Sequence, residues 1–479
     1  MRGLLTVCLL FVLNLSFGQK NAHKSTEQKI DHYIKEVIAI NEIPGVALAV
    51  IKDGKIIYEK YFGKASIEDD KAVDKNTAFK IFSTTKLITN VGIFQLIEQG
   101  KLSLEDPILK YLENTPKEWQ DIKIKNLLSH SSGLPDVVRF QEIPITAPLN
   151  EKIALLSQKP MDFKTGNQYR YNQTNYLFLA KIIEKITGLT FEEYILQNQF
   201  PSIKSGVYFS SNFGETVPNS ASRYNYDDQT KKYVKSTSNF GTDAHSANGL
   251  NISLPNFILW NENLDKGVYL QKETKSNMWK PFPFANNTDR FAFGWEIVPV
   301  NNVLSYGFTG GNETAFRKFI DRDLTIIFLS NGHKYSGLYV QSQVINHVAS
   351  IVDKTLTDEF LLAGEKINQI FLKLDFTKAQ QNYLAIKKKH PDWDFEYRLN
   401  VIGYTLMDHG RLHNGIKVLE LNAKENPKSG NAFDSLADGY FRNNELALSK
   451  ENYQKALSLS PDNNNAKEML EKINTMLAK

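Results

Sequence analysis

Cysteine is almost missing from this chain: among 479 residues there is one, Cys8. It lies inside an apolar run, Gly3 to Leu13, that follows Arg2 and leads to the small residues Ser16 and Gly18. That arrangement reads as a secretory signal over residues 1–18, cut at about Gly18. The mature chain would then hold no cysteine, which excludes a disulfide-stapled scaffold and leaves core burial to supply stability. Cys8 also sits too early, and lacks the preceding small residues, for a lipid-anchor cysteine. No later run approaches the roughly 20 apolar residues that a membrane span needs, so no span is expected once the signal is removed. Charge of one sign is scarce too. Lys and Arg number 57 against 53 Asp and Glu, a net +4, and the lysine run Lys387 to Lys389 is too short for a basic stripe. Nucleic acid is therefore not an expected partner. No His, Cys, Asp and Glu set has metal-ligand spacing, so no metal and no cofactor are expected.

What is present is ordinary globular material, 42% apolar and 23% charged, long enough for two or three domains. A polar helix is expected from about Glu27 to Ile40. Two β-rich runs, Gly45 to Ile51 and Lys55 to Tyr61, flank Lys52-Asp53-Gly54 and predict a hairpin. The chain then reaches Thr77 to Gly100. After the apolar run Ala78 to Phe82 comes Ser83, and then apolar residues at Leu87, Ile88, Val91, Ile93, Phe94, Leu96 and Ile97, a helical spacing.

Ser83 and Lys86 are three apart at the start of that helix, which puts both side chains on one face. A serine hydroxyl is a weak nucleophile until a neighbour takes its proton. A lysine does so only where burial or nearby positive charge lowers its pKa towards neutrality. The helix start adds free N–H groups and a positive dipole end that suit a developing oxyanion. The plainer reading of the same residues is an N-cap serine and a solvated first-turn lysine.

Further blocks decide between these readings. Pro44-Gly45-Val46-Ala47, Ser83-Thr84-Thr85-Lys86, Gly100-Lys101-Leu102-Ser103-Leu104-Glu105-Asp106-Pro107 and Leu127-Leu128-Ser129-His130-Ser131-Ser132-Gly133-Leu134-Pro135 occur in that order. They are followed by Gly249-Leu250 with Trp260, Phe293-Gly294-Trp295, and Tyr306 to Gly311. Together they resemble the serine β-lactamase-like family of class C β-lactamases, penicillin-binding DD-peptidases and related esterases, over about Ala39 to Ile351. The resemblance implies an α+β fold, an antiparallel sheet flanked by helices with a helical subdomain, over residues 19–357.

It also implies a site. Ser83 would be the nucleophile, with Lys86 and Tyr171 sharing the proton transfer and the N–H groups of Ser83 and Gly311 forming the oxyanion hole. In Tyr171-Asn172-Gln173 the tyrosine is in register, but Gln173 stands where the family has asparagine, with the same amide one methylene further out. In Gly307-Phe308-Thr309-Gly310-Gly311 the family's cation is replaced by Phe308. Thr309 keeps a hydroxyl, and Gly310 keeps the strand backbone open to a ligand. A charge-assisted contact to a substrate carboxylate contributes roughly 1.5–3 kcal/mol. Phe308 cannot make one, which leaves Arg317, Lys318 or Arg322 as replacements. His130 and His245 invite a serine–histidine reading, but His130 follows an apolar helix face and is expected to be structural.

Beyond about Asp358 strand signals stop. Pro427 and Pro461 are 34 residues apart, the tetratricopeptide period. Phe433, Leu436, Ala437, Tyr440, Tyr453 and Ala456 fall at the expected offsets, and Leu399, Ile402, Gly403, Leu406 and Leu419 mark an earlier unit in which Asn422 replaces a small residue. Residues 358–479 are thus expected to form an all-α tetratricopeptide-like domain, either a groove for a peptide or partner protein or a stabilising appendage.

Three classes of function follow. The first is an exported serine hydrolase, periplasmic or extracellular, acting on a small-molecule or peptide ester or amide. The second is a penicillin-binding DD-peptidase or β-lactamase acting on cell-wall peptides or β-lactams. The third is a catalytically silent binding module.

Overall fold

A computed structural model of the chain describes residues 25–286, 288 and 290–478. The expected signal and Cys8 lie outside the described residues. The described chain divides into two compact units. One runs to Asn225 and includes Val234–Lys334 and Val344–Thr357; the other comprises Tyr226–Tyr233, Tyr335–Gln343 and Asp358–Lys479.

The first unit is built on a seven-stranded sheet made from two distant parts of the sequence. Its strand order is Lys71–Ala72, Lys55–Ser66, Gly45–Lys52, Leu324–Ser330, Thr314–Phe319, Val303–Gly310 and Glu296–Val300, and each neighbouring pair is antiparallel. The expected hairpin is there. Asp53 and Gly54, at φ of 51° and 67°, both occupy the left-handed region that a two-residue primed turn needs. The central strands are enclosed on both faces: Leu324–Ser330 and Thr314–Phe319 are buried throughout. Both faces are therefore covered, and the long segment between Ala72 and Glu296 that the sequence inserts between the sheet's two halves packs on one of them. That segment also contributes a small sheet, Ala78–Lys80, Leu250–Ser253 and Val207–Phe209.

The helix after Ser83, Thr85–Glu98, departs from the one-sided pattern that its spacing suggests. Every residue from Thr85 to Leu96 is buried. It is a central element packed by Gln173–Thr187, Phe191–Gln199, His245–Asn248 and the strand Val303–Gly310, and a helix enclosed on all sides has no solvent face to mark in the sequence. Its polar residues are satisfied by these neighbours. Thr89 Oγ1 donates to the Ser246 carbonyl at 2.7 Å, and Asn90 Nδ2 donates to the Gly294 carbonyl at 2.6 Å. A Cβ at Gly294 would lie 1.8 Å from Asn90 Nδ2, which accounts for glycine between Phe293 and Trp295.

The second unit carries helices Glu359–Lys373, Phe376–Lys389, Glu396–Asp408, Leu412–Glu425, Gly430–Arg442, Leu446–Leu459 and Asn464–Leu477. Asp358, Asp375, Ser429 and Asn463 cap their helices through the side chain. A Cβ at Gly403 would meet Leu419 at 2.7 Å, so the missing side chain lets Glu396–Asp408 and Leu412–Glu425 cross closely. Asn422 is fully buried there and donates to the Glu396 carbonyl at 3.2 Å, which satisfies the polar residue that replaces a small one. Among the described residues no helix is long and apolar enough to cross a membrane.

Candidate active site

Ser83 sits in a tight turn, Phe82–Thr84, between the strand Ala78–Lys80 and the long buried helix. Phe82, immediately before it, has φ of 46°, uncommon for a bulky side chain and a local strain of the kind found at functional turns. The end of the strand Val303–Gly310 is pressed against this turn. A Cβ at Gly310 would lie 2.3 Å from the Ile81 carbonyl oxygen, and one at Gly311, whose φ is 59°, would lie 2.7 Å from the Phe82 ring. The two glycines therefore bring the strand backbone against the residues that lead into Ser83.

Tyr171 arrives from the other side, on the turn before the helix Gln173–Thr187. Its hydroxyl is 2.6 Å from Ser83 Oγ. Lys86 Nζ is 3.3 Å from Ser83 Oγ, 3.2 Å from Gln173 Oε1 and 2.8 Å from the Ala247 carbonyl oxygen. The hydroxyl, the amine and the phenol thus meet at one place, and Gln173 is part of the same cluster. Lys86 is fully buried, and burial pushes its amine down to about 7 against the opposing pull of Asp136 and Glu296. Burial raises the Tyr171 phenol to about 12, so it keeps its proton at neutral pH. No second cation is needed to depress Lys86. Phe308, which stands where the family has a cation, places its ring centroid 5.8 Å from the Lys86 amine and 6.1 Å from the Tyr171 ring.

A family model described as Beta-lactamase matches residues 30–344. The chain belongs to the beta-lactamase family. Within it, this chain is 26% identical over 315 residues to penicillin-binding protein 4* of Bacillus subtilis strain 168, covering 61% of this chain and 68% of that protein. It is 24% identical over 363 residues to protein flp of Staphylococcus aureus strain MW2, covering 69% and 70%. Among solved structures, an octameric penicillin-binding protein homologue from Pyrococcus abyssi aligns with a TM-score of 0.61 at 24% identity, covering 72% of this chain and 81% of that one. EstCE1, described as a hydrolase with promiscuous acyltransferase activity, aligns at 0.55 and 18% identity, covering 67% and 99%. The structural likenesses establish the fold.

Within this beta-lactamase fold, the three cations considered as replacements at the Phe308 position all have carboxylate partners. Arg317 donates to Glu296 at 2.9 Å, Lys318 to Asp265 at 2.8 Å, and Arg322 lies 3.6 Å from Asp353. Thr309, expected to face a ligand, donates its hydroxyl to Glu296 at 3.3 Å. Glu296 is the residue that sequence reasoning passed over. It lies on the strand beside Val303–Gly310, opposite Gly307, and only strand pairing reveals that it reaches Thr309.

His130 is fully buried, with Nδ1 accepting from the Asn172 N–H at 3.2 Å and from the Asn175 amide at 3.1 Å. Accepting twice at Nδ1 puts the ring proton on Nε2. Burial, helped by the charge of Lys86, holds the imidazole well below its ordinary pKa. It is a fixed neutral ring and not a proton carrier. His245 pairs with Glu192. The block Leu127 to Asp136 is thereby explained. The Leu134 carbonyl accepts from Asn172 Nδ2 at 2.6 Å, and Asp136 accepts from the Gln173 N–H at 3.2 Å, so the block anchors the turn that presents Tyr171.

Proposed function

We propose that this beta-lactamase-family chain is an exported serine hydrolase that transfers the acyl group of an ester or amide to water through an acyl-enzyme. The observation that carries the reading is the set of partners around Lys86. A neutral amine has two N–H bonds and one lone pair. Two of its three neighbours, the Ala247 carbonyl and Gln173 Oε1, only accept, and they take the two N–H bonds. The lone pair is left for the third neighbour, the Ser83 hydroxyl.

The proposed step follows from that. Ser83 Oγ bonds to the substrate carbonyl carbon as its proton passes to Lys86, and the N–H groups of Ser83 and Gly311 hold the oxyanion. As the bond to the leaving group breaks, the proton returns through Lys86 and Tyr171 to the departing oxygen or nitrogen. Water then repeats the sequence and frees the acid. Lys86, at about 7, is the base in this reading, and Tyr171, at about 12, is the donor that relays.

Cell-wall peptides and β-lactams carry a carboxylate, and the pairing of Arg317, Lys318 and Arg322 with Glu296, Asp265 and Asp353 supports an uncharged substrate over these. The burial of Lys86 supports catalysis over silent binding, because an unused buried amine is a cost without return. The helical unit is proposed as a surface for a peptide or partner protein. Deleting residues 358–479 and finding only a lower melting temperature would reduce it to a stabilising appendage.

The test compares p-nitrophenyl esters, nitrocefin and a D-alanyl-D-alanine peptide on the native chain and on Ser83→Ala, with a labelled penicillin to trap an acyl-enzyme. Ester turnover that falls by roughly three orders of magnitude or more in Ser83→Ala is expected. Serine-independent turnover of every substrate would sink the reading.

A further inference from the structure

Beside the reacting groups lies a cavity of about 280 Å³. Gln173 and Ala247, which both contact Lys86, also line it, so it adjoins the buried amine. Its other walls include Val137, Ile145, Leu177 and Phe240. Leu177 stands one turn after Gln173 on the same helix, which carries one face from the amide contact into the cavity. The charged residues in the lining are already matched. Lys152, only 2% exposed, donates to Asp243 at 2.7 Å, Lys181 lies 3.2 Å from the same carboxylate, and Lys181 also reaches Glu184 at 3.0 Å. Two lysines against two carboxylates leave no net charge to recruit an ionised group.

We infer that this cavity receives an uncharged aliphatic acyl chain of medium length, so that the natural substrates are medium-chain acyl esters or amides. The inference rests on the acyl-transfer reading above. At roughly 30 Å³ for a group the size of a water molecule, the cavity has room for about nine such groups. A butanoyl to octanoyl chain fits, and a dodecanoyl chain overruns it. Lys152 does not call for a terminal carboxylate on the chain, because such a group would displace Asp243 from its pair and meet its charge.

The experiment measures kcat/KM for p-nitrophenyl esters from acetyl to dodecanoyl, with the hemi-ester of adipic acid as the charged arm. Burying each methylene favours the complex by roughly fourfold. Hexanoyl is therefore expected to exceed acetyl by at least about tenfold, with a fall by dodecanoyl and adipoyl well below hexanoyl. Leu177→Phe narrows the cavity and moves the optimum to shorter chains, with acetyl turnover within a few fold of the native value. Val138→Trp, at a lining position 48% exposed and so tolerant for folding, gives the same readout at the rim. A flat profile, a preference for adipoyl, or variants that lower all chain lengths equally would overturn the inference. Those outcomes with Ser83-dependent turnover leave the hydrolase reading standing, whereas loss of serine dependence removes that reading itself.

Discussion

His130 holds Tyr171 by both of its chain neighbours. The His130 carbonyl accepts from the Arg170 N–H at 2.9 Å, its Nδ1 accepts from the Asn172 N–H at 3.2 Å, and its ring lies 4.8 Å from the phenol ring between them. The phenol oxygen 2.6 Å from Ser83 is therefore set by a residue that never touches the nucleophile. His130→Ala is expected to lower kcat by about a hundredfold, the scale of a small misplacement at a reacting group, with KM little changed. In His130→Asn the side-chain oxygen stands near the Nδ1 position and restores the acceptor, so most of the loss should be recovered. Steady-state kinetics on both variants decide the matter: equal losses would mean that ring packing alone is at work.

The pH dependence follows from Lys86. Its amine in the folded chain sits at about 7 against an ordinary 10.5, so kcat/KM should rise as pH climbs through about 7 and the lone pair becomes free. Between these two values the unfolded chain binds a proton that the folded chain does not, so this residue's penalty on stability shrinks as pH rises through that window and is gone above it. Lys86→Met abolishes activity and removes the trend. The difference in melting temperature between native and variant chains should narrow from neutral pH towards 10.5. A difference independent of pH would show that the amine is not depressed.

Phe308→Lys brings a cation to within reach of Lys86, whose amine is 5.8 Å from the present ring. A like charge at that range disfavours protonation of Lys86, and the acid limb of the pH profile should move down by about one unit or more. The same variant is expected to gain labelling by penicillin while losing hexanoyl ester turnover. An unmoved limb would place the new amine outside the cluster.

Gly310→Ala forces a Cβ to 2.3 Å from the Ile81 carbonyl oxygen, a backbone atom with no freedom to swing aside. The cost expected is about 1–3 kcal/mol, the range for overpacking a filled site. Because the strain falls on the turn before Ser83, kcat should drop with stability. Denaturant unfolding measures the first and ester turnover the second, and native values in both would mean that the strand end does not press on the turn.

Gln173→Asn, the change towards the family's residue, shortens the amide stem by one methylene. The Oε1 contact to Lys86 at 3.2 Å should be lost, leaving one N–H of the amine without its acceptor. Activity is expected to fall about tenfold at neutral pH, the scale of one hydrogen bond to a reacting group. Unchanged activity would show that the Ala247 carbonyl alone orients the amine.

Much of this was legible because the chemistry lies in short ordered blocks. Ser83, Lys86 and Tyr171 were named from sequence, and the structure brings them together within 3.3 Å of the serine oxygen. Glu296 was not legible, since its meaning comes from pairing opposite Gly307 across a sheet whose register the sequence does not state. The roles of Arg317, Lys318 and Arg322 were equally closed to a linear reading, because each depends on which carboxylate another element delivers.

The sequence by itself determined the hairpin turn at Asp53-Gly54 and the order of blocks that makes this a member of its family. The turn is a local demand, fixed by φ. Only the tertiary structure decided that Lys86 is enclosed on every side, that Thr309 is tied to Glu296, and that an apolar cavity adjoins the amine. Burial and pairing are properties of elements that the fold brings together, and it is burial, not the identity of the lysine, that brings its proton within reach of neutral pH.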